Sequence, residues 1–330
     1  KLVQSMKEAL SFLNVLFEES EMEGIENPYA AFKDIIGFLN RNTQLQLSRL
    51  TFKDLFSPNE NTRSLLREIL LSIINRNISR GTSIEYIASA LQERCGSFCS
   101  SDDILSFRAT EHLRKAKEIG LKDSDTLKLH LNSAVKLFES IAKCLSMEKL
   151  REITSIMLSL DCYAKTIEFL LNIANAIDKG NLAAQYVDNG SLINDERKKF
   201  YDRRIQIYDL VFEVLVKVDQ LSVSPNLSYP TASVCSETDI AAMRTETYRV
   251  ILNYNDKLFH YHMYDWLVRE NNEDKILQLD TRFILPYLQE KSQSSLQISN
   301  IMWIYLSKKS RYYQAAQVLY SLAISNFEIK

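Results

Sequence analysis

The residue types that could do chemistry gather in three places. Cys95 and Cys99 stand four apart with His112 downstream, the beginning of a zinc site, which needs four Cys or His ligands within tetrahedral reach. No second Cys or His pair with zinc spacing follows, and an isolated Cys is commonly a small buried hydrophobe. His260 and His262 lie in an aromatic run, Leu258-Phe259-His260-Tyr261-His262-Met263-Tyr264-Asp265-Trp266-Leu267, where Asp265 could orient an imidazole for acid-base or metal work. Residues at i and i+2 do not share a helix face, so at most one of these histidines enters any one pocket. Core packing, with Trp266 as the main anchor, is the stronger reading. The third place is Asp195-Glu196-Arg197-Lys198-Lys199-Phe200-Tyr201-Asp202-Arg203-Arg204, where basic and aromatic residues interleave as in some binders of single-stranded nucleic acid. Acids interleave as well, and opposite charges three or four apart more often make a self-compensating helix surface. A nucleic-acid-binding helical repeat is therefore the alternative function, and a non-catalytic scaffold the preferred one.

Catalytic motifs are missing. There is no phosphate-cradling Gly-rich loop, no Gly-x-Ser-x-Gly elbow and no His-Glu-x-x-His helix. The sequence predicts no catalytic, cofactor-binding or metal-binding residue, no cofactor and no small-molecule substrate. It leaves the partner-binding residues unassigned.

The elements that would carry these residues are helices. Only 7 of 330 residues are Gly and 5 are Pro, too few for the frequent tight turns of a sandwich, barrel or parallel α/β fold. Long helices with short polar connections manage with few. Apolar content of 46% supports a core, and a net charge of −2 gives no electrostatic reason to expect nucleic acid. Five Cys, at 95, 99, 144, 162 and 235, form an odd, scattered set that suits reduced thiols, so the sequons at Asn77, Asn189 and Asn226 read as chance matches. No window has the run of about 18 apolar residues that a membrane span needs. The chain opens at Lys1 inside an amphipathic pattern with neither an initiator Met nor a cleavage site, which reads as a piece of something longer.

Along the chain, Leu2, Met6, Leu10, Leu13 and Phe17 share one face of a first helix, and Asn27-Pro28 starts a second. Leu66, Ile69, Leu70, Ile73 and Ile74 repeat the stripe, and Thr82 and Ser83 cap a helix through Leu91. Ser101 with two Asp residues is a further N-cap. Leu127, Leu131, Val135, Phe138, Ile141, Ala142 and Leu145 form the clearest stripe, followed by helices capped at Ser146 and Asp161. Asn194–Val218 suits one long helix, with its stripe at Ile205, Tyr208, Val211, Phe212, Leu215 and Val218. No fixed period emerges, so the prediction is all-α, an irregular α-helical solenoid of stacked helix pairs. Its expected organisation is a solenoid segment over 1–220, a loop or soft boundary over 221–236 containing Pro225 and Pro230, and a continuing solenoid over 237–330.

Two stretches carry a family resemblance. The first runs from Leu91 through Cys95, Gly96 and Cys99 to Asp103, followed by Ala109, Glu111, Leu113 and Ala116-Lys117. The second comprises Leu258–Leu267, Lys275-Ile276-Leu277, Phe283–Leu288, Trp303–Leu306 and Tyr313–Ala323. In this order they resemble the C-terminal half of the large inner-ring nucleoporins that join a β-propeller to an α-solenoid, over about residues 59–324. Gly96 stands where that family would have Pro. The resemblance implies a structural role in the nuclear pore complex at the nuclear envelope, serving protein and mRNA transport. It implies other nucleoporins as partners, among them linker nucleoporin peptide segments and neighbouring inner-ring scaffold proteins. The family's membrane contact belongs to its propeller, so the resemblance implies no direct membrane contact for this segment.

Overall fold

The computed structural model describes residues 2–21, 33, 35–37, 39–79, 93–94, 96, 100–120, 123–190, 192, 194–223 and 237–324. Among the described residues there is no strand; α-helices succeed one another through short connections. The helix starts expected at Asn27-Pro28 and Thr82-Ser83, and Cys95, Cys99 and Cys235, lie outside them. The chain divides into two compact units, Lys1–Cys144 and Leu145–Lys330.

How a glycine-poor chain turns its corners is visible at three helix ends. Cys162 N–H reaches back to the Met157 carbonyl (3.2 Å), Asn272 N–H to Leu267 (2.9 Å) and Arg311 N–H to Leu306 (2.9 Å). Each bond spans the same six residues, the Schellman closure of a helix. The residue that must turn left-handed there is usually Gly; here it is Asp161, Asn271 and Ser310, at φ of 56, 54 and 59°. Short polar side chains tolerate that region at modest cost, which removes the need for Gly.

The first unit contains α1 (Leu2–Glu21), α2 (Arg41–Leu47), α3 (Phe52–Phe56), α4 (Glu60–Ser79), α5 (Ser101–Ile119) and α6 (Ser124–Ser140). The expected stripe on α4 is the centre of its core, with Leu66, Ile69, Leu70, Ile73 and Ile74 all buried, packed with Phe12, Ile35, Leu55 and Ile104. On α1 the buried face differs from the expected one: Ala9 and Phe12 are inside, while Met6 is 40% and Leu10 53% exposed. Two apolar stripes compete on this helix. The one carrying Phe12 is buried, on the side where Ser5 Oγ donates to the Phe56 carbonyl at 3.0 Å. Helix α5 begins at Ser101 itself, and its cap is Ser100, one residue earlier than expected. Ser100 and Asp103 cap each other's backbone N–H groups in a capping box.

The second unit contains α7 (Met147–Leu158), α8 (Tyr163–Ile177), α9 (Leu182–Asp188), α10 (Lys198–Val223), α11 (Glu237–Asn253), α12 (Lys257–Arg269), α13 (Glu273–Ile276), α14 (Ile284–Lys291), α15 (Leu296–Lys308) and α16 (Tyr312–Ile324). Helix α8 is buried on several sides, through Tyr163, Ile167, Phe169, Leu170, Leu171, Ile173 and Ala174. It packs against both α10 and α11, and its remaining face, with Glu168, Asn172 and Asn175, is exposed and polar. The stack proceeds by neighbours, α10 on α12, α12 on α14, α14 on α15 and α15 on α16. Leu221–Val223 of the expected loop fall within α10, and 224–236 lie outside the described residues. On α16 only Ala315 is buried, and Tyr312, Tyr313 and Tyr320 are exposed.

Candidate functional site

The two histidines of the aromatic run face different neighbours, as their spacing requires. His260 is buried and its Nε2 donates to the Tyr254 carbonyl at 2.7 Å, which fixes Nδ1 as the unprotonated nitrogen. Its ring stacks on Phe283 at 4.7 Å. His262 Nε2 lies 2.7 Å from Asp209 Oδ1 on α10. Asp265 orients neither of them; it accepts from the Tyr287 hydroxyl at 2.8 Å. Trp266 is half-buried and stacks on Phe212 at 4.8 Å, while Phe259 and Tyr264 are the fully buried anchors of this helix. This corrects the expectation for Trp266: its indole lies over the edge of the core, and the axis of packing runs through Phe259.

Burial, helped by the nearby Arg282 charge, pushes the His260 imidazole below its ordinary 6.5, against the opposing pull of the Tyr254 carbonyl. The unfolded chain therefore takes up that proton first, and stability falls as pH drops through about 6.5 toward the folded value. The slope for one such group reaches at most about 1.4 kcal/mol per pH unit. His260→Gln, which can keep a donor toward Tyr254, lacks this component. Urea unfolding at pH 7.5 and 5.5 is expected to show a smaller acid loss in the variant; equal losses would refute the buried neutral imidazole.

The basic run is absorbed by the fold. Arg197 pairs with Asp195 two residues earlier, and Arg203 donates to the Leu145 carbonyl. Arg204 is buried among acids and hydroxyls. Its Nη1 donates to Asp178 Oδ2 (3.1 Å) and Asn181 Oδ1 (2.9 Å), its Nε to the Tyr208 hydroxyl (2.9 Å), and its Nη2 to Asp256. Both carboxylates are also helix caps. Asp178 accepts from Leu182 and Ala183 N–H at 2.8 and 3.0 Å, and Asp256 from Phe259 N–H at 3.2 Å. One guanidinium thus ties the start of α9 and the start of α12 to α10. Only Lys198 and Lys199 of the run's five cations are exposed, too few to track a phosphate backbone.

Asp219 on α10 is a second clasp, receiving Arg244 (2.8 Å), Tyr248 (2.8 Å) and Lys275 (2.7 Å) from α11 and the α13 turn. Burial pushes its carboxyl up, but the three donors outweigh that and hold it below the usual range. Among the described residues, no three His, Cys, Asp or Glu side chains are grouped to hold a metal. His112 meets His130 instead, Nδ1 to Nδ1 at 3.0 Å. The Cys144 thiol donates to Asp102 Oδ2 at 3.1 Å, and that bond, with burial, raises its pKa away from reactivity. No described helix is long and apolar enough to cross a membrane.

Two grooves lie open between helices of the second unit. Between α14, α15 and α16 lies a cavity of about 390 Å³ with Met302, Leu306 and Val318 inside and Gln289, Gln293, Gln314 and Gln317 around it. Beside it, a second groove of about 670 Å³ is lined by α12 and α14, with Lys257, Tyr261, Arg282, Phe283, Pro286 and Glu290. Gln289 lines both. The first groove is lined by three successive helices and the second by two, and no local motif announces either.

The model of a family described as "Non-repetitive/WGA-negative nucleoporin C-terminal" matches residues 1–330. The chain belongs to this nucleoporin family. It is similar to nucleoporin NUP170 of Saccharomyces cerevisiae, 59% identical over all of this chain and 22% of that protein, and to NUP170 of Chaetomium thermophilum, 33% identical over all of this chain and 22% of that protein. The nucleoporin chain thus spans about a fifth of the length of the curated relatives it matches. Among solved structures, that of Chaetomium thermophilum Nup170 SOL superposes with a TM-score of 0.82 at 33% identity, covering 99% of this chain and 40% of that one. A Nup170 CTD–Nup145N complex matches 68% of this chain and 43% of that one, with a TM-score of 0.55 and 31% identity. This nucleoporin is all-α, as its composition predicted, and an irregular solenoid of stacked helix pairs, as its helical periodicity without a fixed repeat predicted.

Proposed function

We propose that this chain is a non-enzymatic scaffold segment of the nuclear pore complex at the nuclear envelope. It docks other nucleoporins, linker segments and neighbouring scaffold proteins among them, and so serves pore assembly and transport. The observation that carries this is the family match across all 330 residues. The geometry agrees with it. The buried ionisable clusters described above tie helices together, and inter-helix grooves among the described residues suit short extended segments with apolar anchors. Residues 237–330 serve here as a continuation of the same stack. A counterpart of Nup145N is the first partner to try, since the similar Nup170 CTD was solved with it.

The test is affinity capture of pore proteins on the immobilised chain, identified by mass spectrometry. Enrichment of nucleoporins over bare matrix is expected, and its absence would sink the proposal. Titration with single-stranded RNA near physiological salt is expected to give no saturable binding.

A further inference from the structure

The groove between α12 and α14 has an unusual balance of charge. Lys257 Nζ lies 4.9 Å from the Tyr261 ring centroid and Arg282 Cζ 4.8 Å from that of Phe283. Both cations are exposed, and among the described residues neither is in an ion pair. The one carboxylate in the lining is Glu290, and among the described residues it is in no ion pair with either cation. Two cations outside any ion pair therefore flank a floor made of Tyr261, Phe283 and Pro286, with one carboxylate against their two charges.

We infer that this groove binds a linear peptide segment in which an acidic side chain stands beside a large apolar one; the inference rests on the docking function proposed above. The carboxylate lies between Lys257 and Arg282, where charge-assisted hydrogen bonds replace water on both cations. The apolar neighbour covers the aromatic floor, and it distinguishes this site from a general anion site. The adjoining groove gives the reason for a polypeptide. Beyond Gln289 it is rimmed by further glutamines, and each amide offers both a donor and an acceptor to an extended backbone. A free anion would use none of that track.

The experiment is an array of short synthetic peptides placing Asp, Glu, Lys or Ser beside Leu, Ile, Phe, Tyr or Gly, probed with the full 330-residue chain and with its Lys257→Glu/Arg282→Glu variant. Both substitutions are at exposed positions, so folding is checked simply by circular dichroism. Binding is expected to concentrate on peptides with an acid beside an apolar residue. Fluorescence anisotropy of the best of them should show affinity falling about tenfold or more in the variant, and falling with salt. An array without that preference, affinity unchanged in the folded variant, or equal competition by heparin or by phosphatidylserine vesicles would overturn the inference. If the variant still captures nucleoporins as the parent does, the docking function stands and this groove is not its site. If peptides bind as expected while no nucleoporin is captured, the reverse holds.

Discussion

Replacing Arg204 by Met is expected to cost the unit spanning residues 145–330 about 3–5 kcal/mol of unfolding free energy, the usual penalty for breaking one side of a buried ion pair. The side chain is 3% exposed and Asp178 is fully buried, so neither water nor another cation takes over when the guanidinium is removed. Asp178 and Asp256 would remain as facing uncompensated charges at the start of two helices. The cause can be separated from lost packing by a second variant. Arg204→Met combined with Asp178→Asn and Asp256→Asn keeps one capping oxygen at each position, leaving one of the two N–H groups at Asp178 without its acceptor, but removes both negative charges. It should recover part of the loss, because replacing a whole buried ionic cluster is far less costly than orphaning it. Urea unfolding followed by tryptophan fluorescence is the measurement, since Trp266 and Trp303 are the chain's only tryptophans and both lie in this unit. A triple variant no more stable than Arg204→Met would show that the charges were not the source of the penalty.

Phe259→Ala is expected to be comparably damaging, about 3–5 kcal/mol, because it empties a fully enclosed site. The ring is met edge-on by Tyr208 at 5.1 Å and by Tyr254 at 5.3 Å, and Phe212 lies at 5.9 Å. Tyr208 also donates to Asp256 at 3.0 Å, so a shifted ring would carry the disturbance into the Arg204 cluster. Trp266→Ala deletes a larger side chain yet should cost less, about 2 kcal/mol, since the indole is partly exposed and its main loss is the stack on Phe212. Far-UV circular dichroism in urea compares the two without depending on Trp266 as a reporter. The reverse order, Trp266→Ala the worse, would contradict the burial seen here.

Both predictions concern contacts that could not be found along the chain. Arg204 lies 26 residues from Asp178 and 52 from Asp256, and its sequence neighbours made it look like one cation among several on a wet helix. Local charge spacing describes an isolated helix; it says nothing about which position a neighbouring helix will bury. Helix α1 shows the same limit in apolar form. Periodicity found a stripe through Met6 and Leu10, but a second stripe through Ala9 and Phe12 had an equal claim to the core, and the tertiary contact settled it. Where only one stripe exists, as on α4 and α6, sequence was sufficient: Leu66–Ile74 and Leu127–Phe138 are buried at the expected positions.

By itself, then, the sequence determined the class of architecture. Scarcity of Gly and Pro is a constraint on every connection at once, and helical periodicity is a local property repeated over many turns, so both survive without knowledge of partners. It also placed the chain's family, through the order of its aromatic and aliphatic landmarks. Only the tertiary structure decided which cations are buried, which aromatic anchors α12, and where open grooves remain. Those outcomes depend on desolvation, and desolvation is fixed by what packs against a residue from elsewhere in the chain.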